Sequence, residues 1–102
     1  MKPFEITESV KNSVKSIDPD ARIFLFGSRA RGDSNTFSDW DFLILTSISV
    51  DEKLKRIIRS KLIETELVAE EVISSVIYSQ DQWKNYIYTP LYLNISHEGI
   101  EL

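Results

Sequence analysis

Two aspartates separated by a single residue, Asp39 and Asp41, are the groups in this sequence whose type and spacing most directly indicate chemistry. They precede the apolar run Phe42 to Leu45, which has the length of a buried strand. Side chains at i and i+2 of a strand share a face, so both carboxylates point the same way with Cα atoms about 6–7 Å apart. Two such charges repel each other unless a cation lies between them. The pair therefore predicts a site for a divalent cation.

A glycine-serine turn precedes the aspartates along the chain. A short apolar run, Ile23 to Phe26, predicts another buried strand, and it ends at Gly27-Ser28, where glycine allows a tight turn and close approach to a ligand. A polar loop follows and carries two basic side chains, Arg29 and Arg31. Such a turn, arginines for phosphate and an Asp-x-Asp pair are the components of metal-assisted phosphoryl or nucleotidyl transfer.

Two segments of this stretch together resemble the signature of a known family. They are Gly27-Ser28-Arg29-Ala30-Arg31-Gly32 and Ser38-Asp39-Trp40-Asp41-Phe42. The pattern hG-S-x-A-x-G, a short spacer and S-D-h-D-h is similar to that of the minimal nucleotidyltransferases of the polymerase-beta superfamily. The resemblance implies a nucleotidyltransferase fold with the motif at the edge of its sheet, and it covers most of the chain.

The resemblance also implies a set of site residues. In this family the nucleoside triphosphate lies over the Gly-Ser turn, and the two aspartates hold Mg²⁺. The implied catalytic and metal-binding residues are Asp39 and Asp41, and the implied nucleotide-binding residues are Gly27, Ser28, Arg29, Arg31 and Ser38. Taken singly, each has a plainer interpretation, such as a structural turn at Gly27-Ser28 or a surface ion pair between an arginine and Asp33. Their joint occurrence at this spacing between two strands favours the nucleotide site.

One position departs from the family pattern. The family usually carries a third acidic residue on a later strand, and the matching position here is Ser74. A serine cannot act as an ionised base or a strong Mg²⁺ ligand. Two nearby acids remain as alternatives, Glu70, which has the right strand parity but lies about 13 Å away along a strand, and Glu71, which points to the other face unless a bulge intervenes.

Two functions follow from the resemblance. The first is an enzyme that transfers AMP from ATP, with Mg²⁺, to an acceptor hydroxyl; small members of the family resemble antitoxins that modify a tyrosine of a helical HEPN-type toxin. The second is a catalytically weak or inactive module that keeps the fold and pairs with such a partner. The residues alone do not choose the acceptor, the base or the oligomeric state.

Composition and charge limit the remaining possibilities. The chain has 102 residues, so we expect one domain over residues 1–102. Its net charge of −4 argues against a dedicated nucleic-acid surface. It contains no cysteine, no apolar run long enough to span a membrane and no secretory signal, so we expect a cytoplasmic protein.

The periodicity of the chain predicts a small α+β domain, with helices packed on a mixed sheet of three to four strands. The predicted helices cover residues 4–17 and about 52–65, and the predicted strands cover residues 22–26, about 41–46 and about 72–78. A turn or short helix is expected at 27–31. Another short helix carries Trp83, Tyr86 and Ile87, is broken at Pro90, and is followed by a final helical turn at 91–95.

Two surfaces have both a plain and a functional interpretation. The second long helix is expected to bury an apolar stripe made of Leu54, Ile57, Ile58, Leu62 and Ile63, and its basic flanks are interpreted as a solvated face rather than a partner surface. The aromatic segment Trp83 to Tyr92 is more than a small domain can bury. It predicts association, either with itself or with a helical partner.

Overall fold

The computed structural model describes all residues, 1–102. Five helices and a short 3₁₀ turn alternate with four strands. The helices are α1 (Pro3–Ile17), α2 (Ser28–Arg31), α3 (Glu52–Ala69), α4 (Gln80–Trp83), which runs into the 3₁₀ turn Lys84–Tyr86, and α5 (Pro90–Glu98). The strands are β1 (Arg22–Phe26), β2 (Trp40–Thr46), β3 (Ile73–Ser79) and β4 (Ile100–Glu101).

The four strands form one mixed sheet in the order β3-β2-β1-β4. Strands β1 and β2 pair antiparallel, with Phe26 opposite Asp41, and β4 adds antiparallel to the other side of β1. Strand β3 runs parallel to β2, with Ser74 opposite Asp41. Parallel strands need a long crossover, which α3 supplies here. The α+β architecture predicted from the sequence is confirmed.

The main core lies between the sheet and the helices α1 and α3. Alternate residues of β1 and β2 project into it, among them Ile23, Phe42 and Ile44, all fully buried. They meet Val10 of α1 and Ile58 of α3. The alternation within β2 sends Trp40 to this face as well, so the side chain of Asp41 is directed to the opposite face.

The opposite face of the sheet is covered less completely, by α5 and the α4 region. Leu43 and Leu45 of β2 pack there against Ile95 of α5. The rings of Trp83 and Tyr92 lie 5.1 Å apart at their centroids and extend this smaller cluster. Because α5 lies on this face, its C-terminal end comes close to the aspartates.

Helix α3 differs from its prediction in length and in its buried face. It continues to Ala69 because residues 64–69 contain no glycine or proline, and it ends at Glu70, which adopts the left-handed conformation (φ 55°). The residues buried along it are Leu54, Ile58, Leu62 and Thr65. The predicted inclusion of Ile57 and Ile63 in the stripe is wrong: they are 44% and 49% exposed.

The region after β3 differs more strongly. Pro90 was expected to break a helix, whereas it starts one: it is the first residue of α5, where a proline ring fits and no N–H is required. The Thr89 hydroxyl caps this helix by accepting a hydrogen bond from the Tyr92 N–H at 3.2 Å. After Gly99 the chain forms β4, a two-residue strand too short to be predicted from periodicity.

The signature motif lies at one end of the two central strands, rather than along an outer strand of the sheet. Strand β1 ends at Phe26 and β2 begins at Trp40, so the connection between them, including α2, lies at this end. No helix combines the length and apolar character needed to cross a bilayer.

Candidate active site

Gly27 and Asp41 are in direct contact. Gly27 follows the end of β1 with φ 76° and ψ −161°, a backbone conformation that residues other than glycine rarely adopt. The Asp41 carboxylate occupies the space where a Cβ on Gly27 would lie, so any larger residue there would collide with Oδ2 of Asp41. The glycine is therefore needed for two reasons: its backbone conformation and the carboxylate packed on it.

The environment of Asp41 favours a bound cation. Burial raises the pKa of Asp41, the charge of Asp39 raises it further, Arg31 lowers it, and Glu98 raises it again. Asp41 is half-buried, whereas Asp39 is exposed. The repulsion between the two carboxylates would be relieved by a positive ion that both could contact.

The donor set at this position suits Mg²⁺ bound together with a phosphorylated ligand. Asp39 and Asp41 supply hard carboxylate oxygens, and no third His, Cys, Asp or Glu side chain joins them in a ready-made metal cluster. Mg²⁺ commonly takes one or two carboxylates and fills its remaining positions with water and substrate phosphate oxygens. The residues present thus fit a metal that arrives with a triphosphate.

Arg31 lies at the same site and is held by two acids. Its Nε donates to Asp33 at 3.1 Å and its Nη1 donates to Glu98 at 2.9 Å. These interactions raise the pKa of Arg31, the hydrogen bond to Asp33 contributing most. The side chain of Arg31 is 47% exposed, while that of Glu98 is only 16% exposed. Arg31 thus remains accessible to an anion at the site.

Arg29 points away from the aspartates. Its guanidinium lies over the ring of Trp40, 4.7 Å from the ring centre, and Trp40 belongs to the main core on the other face of the sheet. Its Nη2 donates to the Ser38 carbonyl at 3.0 Å and lies 3.7 Å from Glu71, and its Nη1 lies 3.4 Å from the Ser34 hydroxyl. The structure does not bring Arg29 together with Asp39, Asp41 and Arg31.

The two serines of the signature occupy different environments. Ser28 starts α2 directly after Gly27, and its half-buried side chain has no hydrogen-bond partner within the protein. Ser38 is engaged on both sides, since its hydroxyl accepts from the Asn35 N–H at 3.0 Å and its carbonyl accepts from Arg29. Ser28 is therefore free to meet a ligand, whereas Ser38 shapes the loop.

The nucleotidyltransferase domain family matches residues 7–91, which include both halves of the motif and most of the sheet. The chain belongs to this family. No curated protein gives a significant match. The signature recognised in the sequence is thus confirmed as that of a nucleotidyltransferase domain.

Solved structures share the fold of this nucleotidyltransferase domain. One is a toxin–antitoxin crystallised with AMP-PNP, with a TM-score of 0.67 and 19% identity, covering 92% of this chain and 69% of that chain. Another is the toxin–antitoxin MntA–HpeT carrying a tyrosine-to-alanine substitution, with a TM-score of 0.66 and 20% identity, covering 94% of this chain and 70% of that chain. At this identity the likeness establishes the fold.

The position of the third family acid is occupied by Ser74, which lies beside Asp41 in the β2–β3 register. The two alternative acids do not replace it. Glu70 ends α3 outside the strand, and Glu71 contacts Arg29 on the far side of β2. No bulge turns either one toward the aspartates, because the register of β2 and β3 is continuous from Trp40 and Ile73 onward.

Glu98 is the one charged residue near the aspartates that sequence reasoning did not identify. It lies at the end of α5 and reaches the site through Arg31, far from the motif in sequence. His97 is exposed on α5.

Proposed function

We propose that this nucleotidyltransferase domain transfers AMP from ATP, with Mg²⁺, to a hydroxyl of a partner protein, in the manner of an antitoxin acting on a tyrosine of a HEPN-type toxin. The observation that carries the proposal is the Asp41 carboxylate packed on Gly27 with Asp39 beside it. The toxin–antitoxin context of the similar structures, one with AMP-PNP, supports the choice of nucleotide and partner.

Each residue of the site has a proposed role in binding the metal or the triphosphate. Asp39 and Asp41 would hold the metal, which would supply positive charge to the phosphates and to the pyrophosphate leaving group. Gly27 lets the chain approach the triphosphate closely, and the Ser28 hydroxyl donates to it. Arg31 pairs with phosphate oxygens using the part of its guanidinium that Asp33 and Glu98 leave accessible.

The open surface around the site supports a macromolecular acceptor. None of the cavities in the structure is lined by Gly27, Ser28, Asp39 or Asp41; one of about 410 Å³ lies at the opposite end of β2 and β3, beside Thr46 and Ser79. A small acceptor would normally be enclosed in a pocket. A protein acceptor can cover an exposed site with its own surface, so the absence of a cavity at Gly27, Ser28, Asp39 and Asp41 fits such an acceptor.

A second candidate function is a binding module that pairs with the partner and transfers slowly or not at all. The observation that favours it is Ser74 beside Asp41, where a carboxylate could serve as a base or as a ligand of a second metal. Loss of a general base commonly lowers a rate by about 10²–10⁴-fold. Nucleotide and single-metal binding would survive this loss.

The experiment that tests the proposal is transfer of label from [α-³²P]ATP, with and without Mg²⁺, to the protein encoded by the adjacent gene. Label on that protein, dependent on Mg²⁺ and absent with Asp41→Asn, is the expected result. Mg²⁺-dependent ATP binding without any transfer would support the binding module instead. Absence of both binding and transfer would overturn both candidates.

A further inference from the structure

The two aspartates of the site are held in place by different means. Asp41 lies within β2, where pairing with β1 on one side and β3 on the other fixes its backbone. Asp39 precedes β2 and has no strand partner. Its position depends on the peptide groups on either side of it.

Both of these peptide groups are anchored. On the far side, the Trp40 N–H donates to the Val72 carbonyl at 2.9 Å. On the near side, the Ser38 carbonyl accepts from Nη2 of Arg29 at 3.0 Å. The Ser38 carbonyl belongs to the peptide bond that leads directly into Asp39, so the guanidinium limits how that carboxylate can move.

We infer that Arg29 is a positioning residue, which holds Asp39 in the geometry that Mg²⁺ requires, rather than a ligand of the nucleotide phosphates. The Arg29 brace consists of Arg29, the Trp40 ring, the Ser38 carbonyl and Glu71. The effect of Arg29 on Mg²⁺ binding rests on the proposed function. Its effect on the order of the loop before Asp39 rests on the structure alone.

Three contacts fix the guanidinium in this brace. The Trp40 ring lies under it at 4.7 Å, and a desolvated cation–π contact of this kind is attractive. Glu71 lies 3.7 Å from Nη2 and offsets the charge of a side chain that is only 15% exposed. A planar fork can hold a carbonyl, a carboxylate and an aromatic face at once, which a lysine ammonium cannot.

The loop before Asp39 is ordered by its own hydrogen bonds, so the brace acts on a compact unit. The Phe37 N–H donates to Asn35 Oδ1 at 2.8 Å, and the Ser38 N–H donates to the Asn35 carbonyl at 3.1 Å. Arg29 connects this small turn to the core through Trp40. Without the brace, the turn and Asp39 would move together.

The test separates a positioning role from a phosphate contact by measuring ATP binding with and without Mg²⁺. A phosphate ligand contributes to both affinities, whereas a residue acting through Asp39 contributes only to the gain that Mg²⁺ brings. We expect Arg29→Met to reduce that gain by about tenfold or more, as loss of supporting contacts around a metal ligand commonly does. Metal-free ATP binding should be unchanged. In an Asp39→Asn background, Arg29→Met should have no further effect on the gain.

Matched variants keep the test interpretable. Arg22→Met is the control, because Arg22 also stacks on an aromatic ring (Phe24, 5.1 Å) and pairs with a carboxylate (Glu101, 2.9 Å), away from the site. It should leave the Mg²⁺ gain unchanged. If Arg29→Met does not fold, Glu71→Gln removes only the charged partner and should lower the gain in the same direction by a smaller factor.

Hydrogen exchange in the nucleotide-free protein provides a second measurement. Arg29→Met should accelerate exchange of the Phe37 and Ser38 amides by about tenfold or more, while Arg22→Met should not. If wild-type protein shows no Mg²⁺-dependent binding, the proposed function fails and the exchange result alone decides the brace. Equal losses of ATP affinity with and without Mg²⁺, or unchanged exchange of these amides, would overturn the inference.

Discussion

Ser74 and Asp41 lie side by side across the parallel β2–β3 pair, on the face of the sheet that carries the site. A carboxylate at position 74 would lie next to the half-buried Asp41. Because Ser74 occupies this position, the site lacks an acidic side chain beside Asp41 on β3. Neither Glu70 nor Glu71 compensates, because one ends α3 and the other contacts Arg29.

Ser74→Asp should therefore raise transfer activity. The new carboxylate can serve as a base or help hold a second metal, and the expected gain is on the order of 10²-fold or more. The measurement is labelled AMP transfer to the partner protein at saturating ATP and Mg²⁺. Ser75→Asp is the control, since the adjacent side chain lies on the other face, next to Arg59. Rapid wild-type transfer that Ser74→Asp leaves unchanged would show that the third acid is not needed.

Asp41→Asn should increase the stability of the ligand-free protein while it weakens Mg²⁺-dependent ATP binding. The pKa of Asp41 is raised in the folded protein by burial and then by Asp39, so its ionised form destabilises the fold at pH values above its folded pKa. The neutral amide should raise the melting temperature of the ligand-free protein and abolish the Mg²⁺-dependent part of ATP binding. Asp39→Asn, at an exposed position, should impair binding with a smaller gain in stability. A lower melting temperature for Asp41→Asn would contradict this.

Gly27→Ala should abolish nucleotide binding, and Gly32→Ala provides its control. Both glycines have positive φ, 76° and 85°, and an alanine in such a conformation costs about 1–3 kcal/mol. Only at Gly27 would the new Cβ also displace the Asp41 carboxylate, since nothing lies within 4 Å of a Cβ at Gly32. Calorimetry with ATP and Mg²⁺, at a temperature where both variants are folded, should show loss of binding for Gly27→Ala alone. Equal affinities would remove Gly27 from the phosphate path.

The regular elements could be predicted because their signals are local. Strands β1 and β2 follow from short apolar runs bounded by Gly27 and by the aspartates. Strand periodicity also explains why Asp41 points away from the core that buries Trp40, whereas Asp39 lies before β2 and its predicted place on the same face stays a prediction. The close contact of Gly27 with Asp41 could be anticipated in kind, since a glycine next to a motif permits close approach. The sequence did not indicate that the group packed on Gly27 would be the Asp41 carboxylate of the protein itself.

Other features escaped prediction because they depend on tertiary contacts. Arg29 and Arg31 are two residues apart in a short helical turn, so the direction of each side chain decides which one reaches the aspartates. The sequence does not show that the guanidinium of Arg29 stacks on the Trp40 ring. Glu98 approaches the site because α5 packs on the face of the sheet that carries Asp41. Pro90 was misjudged because proline both ends and begins helices, and the Thr89 cap decides the second case.

Glu98→Gln should strengthen binding of ATP in the absence of Mg²⁺. Glu98 holds Arg31 at 2.9 Å and places a mostly buried negative charge near Asp41, where we expect the phosphates to bind. Its removal releases Arg31 and reduces repulsion, which we expect to tighten binding by about two- to tenfold at low salt and by less at high salt. Glu101→Gln, which affects the pair with Arg22 instead, should change nothing. Weaker binding by Glu98→Gln would mean that Glu98 orients Arg31 productively.

Asp18→Asn should destabilise the fold in a pH-dependent way. Burial alone would raise the pKa of Asp18, but hydrogen bonds from the hydroxyl and N–H of Ser47, both 2.7 Å, and from the Asp20 N–H outweigh it and lower the pKa. Its contribution is therefore present above the unfolded pKa of about 3.9 and is lost as the pH falls through the lower folded value.

Chemical denaturation measures this contribution. At pH 7 the variant should lose about 1–3 kcal/mol of unfolding free energy, as expected for hydrogen bonds to a buried charged group. The difference from wild type should shrink below about pH 4. Asp20→Asn, at an exposed position, is the control. A deficit that persists unchanged at low pH would show that the packing of Asp18, rather than its charge, matters.

The parallel pairing of β2 with β3 also determines the order in which the site can form. Gly27 and Asp41 belong to an antiparallel strand pair joined by one loop, so they can meet early in folding. Ser74 reaches Asp41 only after α3 has crossed the sheet, and Glu98 reaches Arg31 only after α5 has docked. Contacts between distant parts of a chain form slowly because the intervening segment must first lose its conformational freedom. During synthesis on a ribosome, the carboxylate-glycine half of the site would therefore be present before the groups that surround it.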